Sequence, residues 1–348
     1  MSRGARLAAW LLLPLAAPAA GASPPAEART QEYRYLMGTS VSVEVFGGDE
    51  PARRAAIAEA FDAVAEVDRL MSNYRDDSEL ALLNRRAALQ AVRVSDPMLA
   101  VLRAAQQVSE RSGGAFDVTV GPLVRLWGFH ERKPHVPTAA ELEQVRPSIG
   151  YRNLILDEAA HKVHFLRSGV ELDLGGIAKG FAVELAAGVL RRHGFAGFID
   201  AGGNQYMLGQ PPGKPAWRVG IKDPDSPTSL LGVLDVREGS VSTSAQYANS
   251  LRAGAREYGH ILDPRTLQPS EGALSVTVVC PDGTLADALS KVGFVLGAGR
   301  GLAVIESFPA TAAVIAFRKA DGTMGVAVSP SLGAAWKRRG SMRAPELK

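Results

Sequence analysis

The segment Asp173-Leu174-Gly175-Gly176-Ile177-Ala178-Lys179-Gly180 puts a carboxylate, a glycine pair and an ammonium where a short apolar run gives way to a helical pattern. Paired glycines let a ligand approach the backbone closely, and a helix start favours an anionic group. The plainer reading is a tight strand-to-helix turn with Asp173 as its cap. Ala201-Gly202-Gly203 has the same ambiguity, and Gly114-Ala115-Phe116-Asp117 reads equally as a helix stop. His260-Ile261-Leu262-Asp263-Pro264-Arg265-Thr266 gathers a histidine, an acid and a base. A histidine titrates near neutral pH and is a natural proton acceptor. The familiar nucleotide signatures are missing from the sequence: no G-x-G-x-x-G follows a strand and no G-x-x-x-x-G-K-[ST] occurs. No G-x-S-x-G elbow occurs either.

The elements that must position these residues are legible from periodicity. Ser40 to Phe46 alternates polar and apolar residues, the period of a half-buried strand. Asp49 and Pro51 open a helix whose apolar stripe is Ile57, Phe61, Val64, Val67 and Met71. Asp96-Pro97 opens a second, stopped by Gly113-Gly114. Leu154–Leu156 and Val163–Phe165 read as a hairpin, and Ile177 to Arg192 as a helix. Short strands follow at Phe198–Asp200, Tyr206–Leu208, Arg218–Ile221, Gly232–Val236 and Ser275–Cys280, with a helix from Leu285 to about Leu296. Ala312–Phe317 and Met324–Val328 flank Asp321-Gly322, a strong hairpin signal. Strands and helices mix without strict alternation, so the fold class is α+β, with mixed sheets and packed helices.

Composition bounds the rest. The chain has 348 residues, 46% hydrophobic and 22% charged, which excludes bulk disorder. A net charge of +3 is too small to argue for nucleic-acid binding, and the single Cys280 excludes an internal disulfide framework. Arg3 and Arg6 precede an apolar run from Leu7 to Ala20, and small residues follow at Ala20-Gly21-Ala22. That order is the order of a secretory signal, and the run falls short of the ~20 residues a membrane span needs. The expected organisation is a signal peptide at 1–22, a linker at 23–34, one domain at 35–330 and a basic tail at 331–348. No later segment reads as long and apolar enough to span, so the expected product is exported, soluble and periplasmic.

Taken in order, these segments resemble the ApbE family of FAD:protein FMN transferases. The matching pieces begin with Met37-Gly38-Thr39, Leu70-Met71-Ser72-Asn73-Tyr74, Ser78-Glu79, Asn84, Gly114–Asp117, Gly121-Pro122-Leu123 and Leu126–Phe129. Asp173–Gly180, Ala201–Gly203, Val241–Ser244, His260–Thr266 and Ala286-Asp287-Ala288-Leu289 complete them. The resemblance implies an ApbE-like fold that binds FAD with a divalent cation, usually Mg2+. It implies transfer of FMN to a threonine or serine hydroxyl of an exported acceptor protein of an envelope redox system, leaving AMP. On the matching positions, Met37, Tyr74, Ala115, Phe116, Asp117, Asp173, Lys179 and Ile261 would meet the flavin nucleotide. Asp287 and the carbonyls of Gly176 and Thr284 would hold the metal, and His260 is the candidate general base. Tyr74 could stack on a flat ring; its plainer role is core packing.

The chain departs from the family pattern at four places near that site. Lys291 stands where the family's Asp-Ala-Leu-x-Thr motif carries threonine, one turn after Asp287. An Asp–Lys pair at that spacing can simply form a salt bridge, or the ammonium can take the cation's place. Asn204, Ala245 and Leu267 replace the family's aspartate and two glycines. Two alternatives therefore share the site: an FAD-binding relative without turnover, and an FAD pyrophosphatase with water as nucleophile.

Overall fold

A computed structural model describes residues 28–129, 135–245, 250–253 and 256–343. The expected leader and the start of the expected linker lie outside these residues. The fold is α+β, and every pairing between named strands is antiparallel. Its centre is an eight-stranded sheet. The strands are β1 (Arg29–Leu36), β2 (Thr39–Phe46), β6 (Ala196–Ala201), β7 (Asn204–Leu208), β10 (Gly239–Ala245), β15 (Ser275–Cys280), β16 (Ala312–Arg318) and β17 (Met324–Val328), in that spatial order. A small sheet holds β3 (Val92–Arg93), β4 (Leu154–Asp157) and β5 (Lys162–Phe165); another holds β8 (Trp217–Asp223), β9 (Ser226–Val236) and β18 (Trp336–Arg343). Two short ribbons, β11 (Ser250–Ala253) with β12 (Arg256–Gly259) and β13 (Leu262–Asp263) with β14 (Gln268–Pro269), carry the histidine segment.

The helices are α1 (Glu50–Met71), α2 (Glu79–Arg86), α3 (Asp96–Ser112), α4 (Gly121–Leu126), α5 (Ala139–Val145), α6 (Ala178–Arg192) and α7 (Gly283–Glu306). Their ends follow local chemistry. Asp49 accepts the Ala52 amide at 2.8 Å and starts α1. Ser95 does the same for Met98 at α3, which Gly113 ends in a left-handed conformation at φ 63. The α1 stripe is buried whole, and each such side chain contributes roughly 1.5–3 kcal/mol.

Three layers result. Val41, Val43, Val45, Ile199, Val276, Val278 and Ile315 face α1, α6 and α7. On the other face Met207, Val241, Val314 and Ala316 pack against Ile221, Leu231, Leu234 and Val236 of β8 and β9. Consecutive antiparallel pairing brings the Met37-Gly38 turn, the Gly202-Gly203 turn and the Ala245–Ser275 pair to one end of the large sheet.

Three expectations need correction. Residues 29–34 are not linker: they pair with β2 from Arg29↔Phe46 to Leu36↔Thr39. The basic tail is structured through Arg343, because Trp336 pairs opposite Leu234 and its ring lies over Gly232. The helix from Leu285 continues past Leu296 to Glu306 across a break at Gly297, φ 72. That whole helix is long and apolar enough to cross a membrane, contrary to the expectation that no such segment follows the leader. Half of its most apolar window is buried, against α6, β10, β15 and β16.

Candidate functional site

The Asp173–Gly180 segment is shaped by its own side chains and by distant ones. Asn84 holds its approach: Nδ2 donates to the Leu172 carbonyl at 3.0 Å, and Oδ1 accepts the Leu172 amide at 2.8 Å. The Asp173 amide then donates to the Val118 carbonyl at 2.7 Å, and Asp173 Oδ1 accepts the Gly175 amide at 2.7 Å. The chain turns into α6 at Ile177, which cannot cap a helix, and no side-chain cap bond is present there.

The missing cap comes from α7. Asp287 Oδ2 accepts the Gly180 amide at 2.9 Å, from 107 residues away. This approach requires glycine. A Cβ on Gly180 would lie 2.1 Å from the Gly283 carbonyl oxygen, and one on Gly283 would lie 2.6 Å from the Gly180 oxygen. Further along α6, Glu184 Oε2 accepts the Gly283 amide at 2.7 Å, so the first turn of each helix is capped by a carboxylate of the other. Burial pushes the Glu184 carboxyl upward, with the Gly283 hydrogen bond opposing. Neither Gly180 nor Gly283 was singled out as a contact residue from sequence; glycine inside a helical pattern was the available signal.

Asp287 is fully buried, and its second oxygen, Oδ1, accepts from Lys291 Nζ one turn on. A buried carboxylate is tolerated when paired in this way. Burial pushes the Lys291 ammonium's pKa down against the pull of Asp287, and nearby Lys179 adds to the downward push. The Lys291 side chain keeps 19% of its surface exposed. A Cβ on Gly176 would stand 3.2 Å from Phe116 Cε2 and 3.9 Å from Lys291 Cε, so Phe116, Gly176, Asp287 and Lys291 form one cluster. Lys179 Nζ donates to the Gly175 carbonyl at 3.3 Å at its edge.

The donor set does not fit a divalent ion. Asp287 has both oxygens engaged, and Thr284 lies in the first turn of α7, where carbonyls serve the helix itself. No group of three histidine, cysteine or acidic side chains occurs among the described residues. Magnesium asks for near-octahedral oxygen coordination. The Lys291 ammonium already holds Asp287 Oδ1, a side-chain oxygen implied for such an ion.

Behind the cluster, Ser290 Oγ donates to the Asp287 carbonyl at 2.7 Å and lies 2.7 Å from Ser244 Oγ. Ser242 donates to Asn204 Oδ1 at 2.7 Å, and Asn204 is 4% exposed. The amide in place of the family's aspartate avoids burying a further charge there.

The other expected residues occupy distinct settings. Met37 sits in the β1–β2 turn at φ 52, uncommon for such a side chain, next to Gly38 at φ 72. A Cβ on Gly202 would touch Thr39 Oγ1 at 2.7 Å, so this turn and the Gly202-Gly203 turn adjoin. Tyr74 is 78% exposed after α1, which removes core packing as its role. Ala115, Phe116 and Ile261 belong to the main core, so contact between them and a ligand falls largely to backbone. Asp117 Oδ1 accepts from the Thr119 amide and hydroxyl at 2.8 and 2.7 Å, and burial raises its carboxyl pKa against those bonds. Ser78 and Glu79 also serve the fold: Ser78 caps α2, and Glu79 accepts the Ser95 amide and hydroxyl at 2.6 Å. His260 is half-buried between β12 and β13. Asp263 closes the loop after it, accepting Arg265 Nε at 2.9 Å and Nη2 at 2.8 Å.

The site is thus a glycine-lined helix start in an α+β fold, flanked by Lys179 and Lys291 and by the Asp173 and Asp287 carboxylates. The ApbE family model matches residues 37–315. A Treponema pallidum protein named FAD:protein FMN transferase is 33% identical over 310 residues, covering 83% of this chain and 86% of its own. One of the same name from Vibrio cholerae is 32% identical over 313 residues, covering 86% and 89%. The crystal structure of the ApbE protein from Thermotoga maritima superposes with a TM-score of 0.79 at 30% identity, over 86% of this chain and 97% of that one. The flavin transferase ApbE from Vibrio cholerae gives 0.78 at 30%, over 88% and 98%. The chain belongs to the ApbE family.

Proposed function

We propose that this protein is an FAD:protein FMN transferase acting on an exported acceptor of an envelope redox system. The observation that carries the reading is family membership across residues 37–315, with relatives named for that activity. The lysine-flanked turn at Gly175-Gly176 is where the pyrophosphate of FAD would lie. Asp173 and Lys179 would hold that end, with Met37, Tyr74, Ala115, Phe116, Asp117 and Ile261 bounding the rest of the nucleotide. The acceptor hydroxyl oxygen forms a bond to the FMN phosphorus, the bond from that phosphorus to the AMP oxygen breaks, and AMP leaves with the electron pair. His260 takes the hydroxyl proton. This chemistry needs positioning and neutralised phosphate oxygens more than covalent help from the protein. Mg2+, implied by the resemblance at Asp287, Gly176 and Thr284, would compete with the Lys291 ammonium for Asp287. The leader-like residues 1–22 support export to the periplasm.

Incubation of the mature protein with FAD and an acceptor domain proven with another transferase should yield a covalently fluorescent acceptor and free AMP. No covalent label under any metal condition, with FAD demonstrably bound, would leave the alternative favoured by the occupied Asp287: a flavin-nucleotide binder without turnover. Release of FMN and AMP without acceptor would instead mark a pyrophosphatase.

A further inference from the structure

We propose that Lys291 is a built-in counter-cation: its ammonium, fixed on Asp287 beside the Gly175-Gly176 turn, meets the pyrophosphate of a flavin dinucleotide and makes its binding independent of a divalent metal. The inference rests on the flavin-nucleotide reading above and adds to it how the charge is supplied.

Four observations carry it. The lysine is anchored rather than waving in solvent, since the buried Asp287 that holds it is itself locked on the Gly180 amide at 2.9 Å. Both Asp287 oxygens are already engaged, Oδ1 by Lys291 and Oδ2 by the Gly180 amide, and an ammonium and a dication held on one carboxylate repel each other. The ammonium has three donors and spends one on Asp287, leaving hydrogen-bonding capacity for phosphate oxygens. The neighbouring backbone is open on that side: Gly176 places no side chain between Phe116 and Lys291, where a Cβ would stand 3.9 Å from Cε. An ammonium fixed in place needs no metal to be recruited, and its order is built in during folding.

The test is FAD binding by the full mature protein, followed by flavin fluorescence and calorimetry, in chelator and in millimolar magnesium. The unmodified protein should bind FAD equally in both, and Mn2+ added without FAD should give no bound-ion signal by electron paramagnetic resonance. Lys291→Thr should bind FAD about tenfold or more weakly in chelator, the scale of losing a charged hydrogen bond. It should recover in magnesium and acquire a bound Mn2+ signal. Magnesium-dependent FAD binding or bound Mn2+ in the unmodified protein overturns the inference, even if the variant fails to fold. So does a Lys291→Thr protein unaffected in chelator, or weakened and not rescued by magnesium. Absence of FAD binding under every condition overturns the flavin reading together with this one, whereas metal-dependent binding overturns this one alone.

Discussion

Gly180→Ala adds one methyl group at the point where α6 and α7 touch. That methyl would lie 2.1 Å from the Gly283 carbonyl oxygen and 2.5 Å from Asp287 Cβ, against an ordinary contact of 3.4 Å or more. The obstacles are a backbone oxygen and the first atom of a buried side chain, so neither can swing away. The helices must separate by about an ångström, and overpacking of this kind costs roughly 1–3 kcal/mol. The same displacement stretches the Gly180–Asp287 hydrogen bond, and a bond to a charged group contributes about 1.5–3 kcal/mol. Alanine returns about 1 kcal/mol of helix propensity. The net loss is about 1.5–5 kcal/mol, or very roughly 2–8 °C in Tm for a domain of this size. Gly188 lies on the same helix with nothing within 4 Å of its added Cβ. There alanine should gain about 0.5–1 kcal/mol. Urea unfolding of both variants, with FAD binding measured alongside, decides the matter. A Gly180→Ala protein as stable as the parent would refute the contact as the organiser of the site. Equal losses from both variants would refute the glycine-specific argument.

Other outcomes follow from single side chains. Asn84→Ala removes both bonds to Leu172 and should cost about 1–3 kcal/mol, with weaker FAD binding because Asp173 follows directly; unchanged stability in urea would contradict this. Met37→Gly relieves a left-handed conformation at φ 52 and should leave stability equal or higher by about 1 kcal/mol, while FAD affinity falls; a destabilised variant that binds normally would reverse the assignment. Burial pushes the Cys280 thiol up to about 12, so the thiolate at pH 8 is on the order of one part in ten thousand. Rapid stoichiometric labelling of the folded protein by a thiol reagent would contradict that burial. Because the folded pKa is raised above the ordinary thiol value of 9.0, this thiol's contribution to stability is intact below pH 9 and lost as pH rises toward 12.

The legible parts of the fold were those whose signals are local. The α1 stripe, the Pro97 start and Gly113 stop of α3, and the Asp321-Gly322 turn each lie within a few residues of their own cause. β1 was missed because it is a sheet edge: Tyr33 and Tyr35 are exposed, and the strand shows no alternation to read. β18 was missed because Lys337 and Arg338 face outward and its order depends on Trp336 meeting Gly232, about a hundred residues earlier in the chain. The far half of α7 was missed because Gly297 does break the helix, and only packing restarts it.

The site divides along the same line. Motif residues at the turns looked alike in sequence, yet Asn84, Ser78, Glu79 and Asp117 spend their side chains on backbone groups of the fold, while Tyr74 spends most of its surface on solvent. Nothing local distinguishes these cases, because the partners come from other elements. Lys291 is different. Its spacing from Asp287 is local to one helix, so an ion pair was readable from sequence, but its meaning was not. On a solvated helix face such a pair contributes a few tenths of a kcal/mol. With Asp287 fully buried and its other oxygen committed to Gly180, the same pair becomes a fixed charge facing an open backbone turn. Helix burial, set by Gly180 and Gly283, therefore turns a routine surface motif into the feature that decides whether this protein needs a metal.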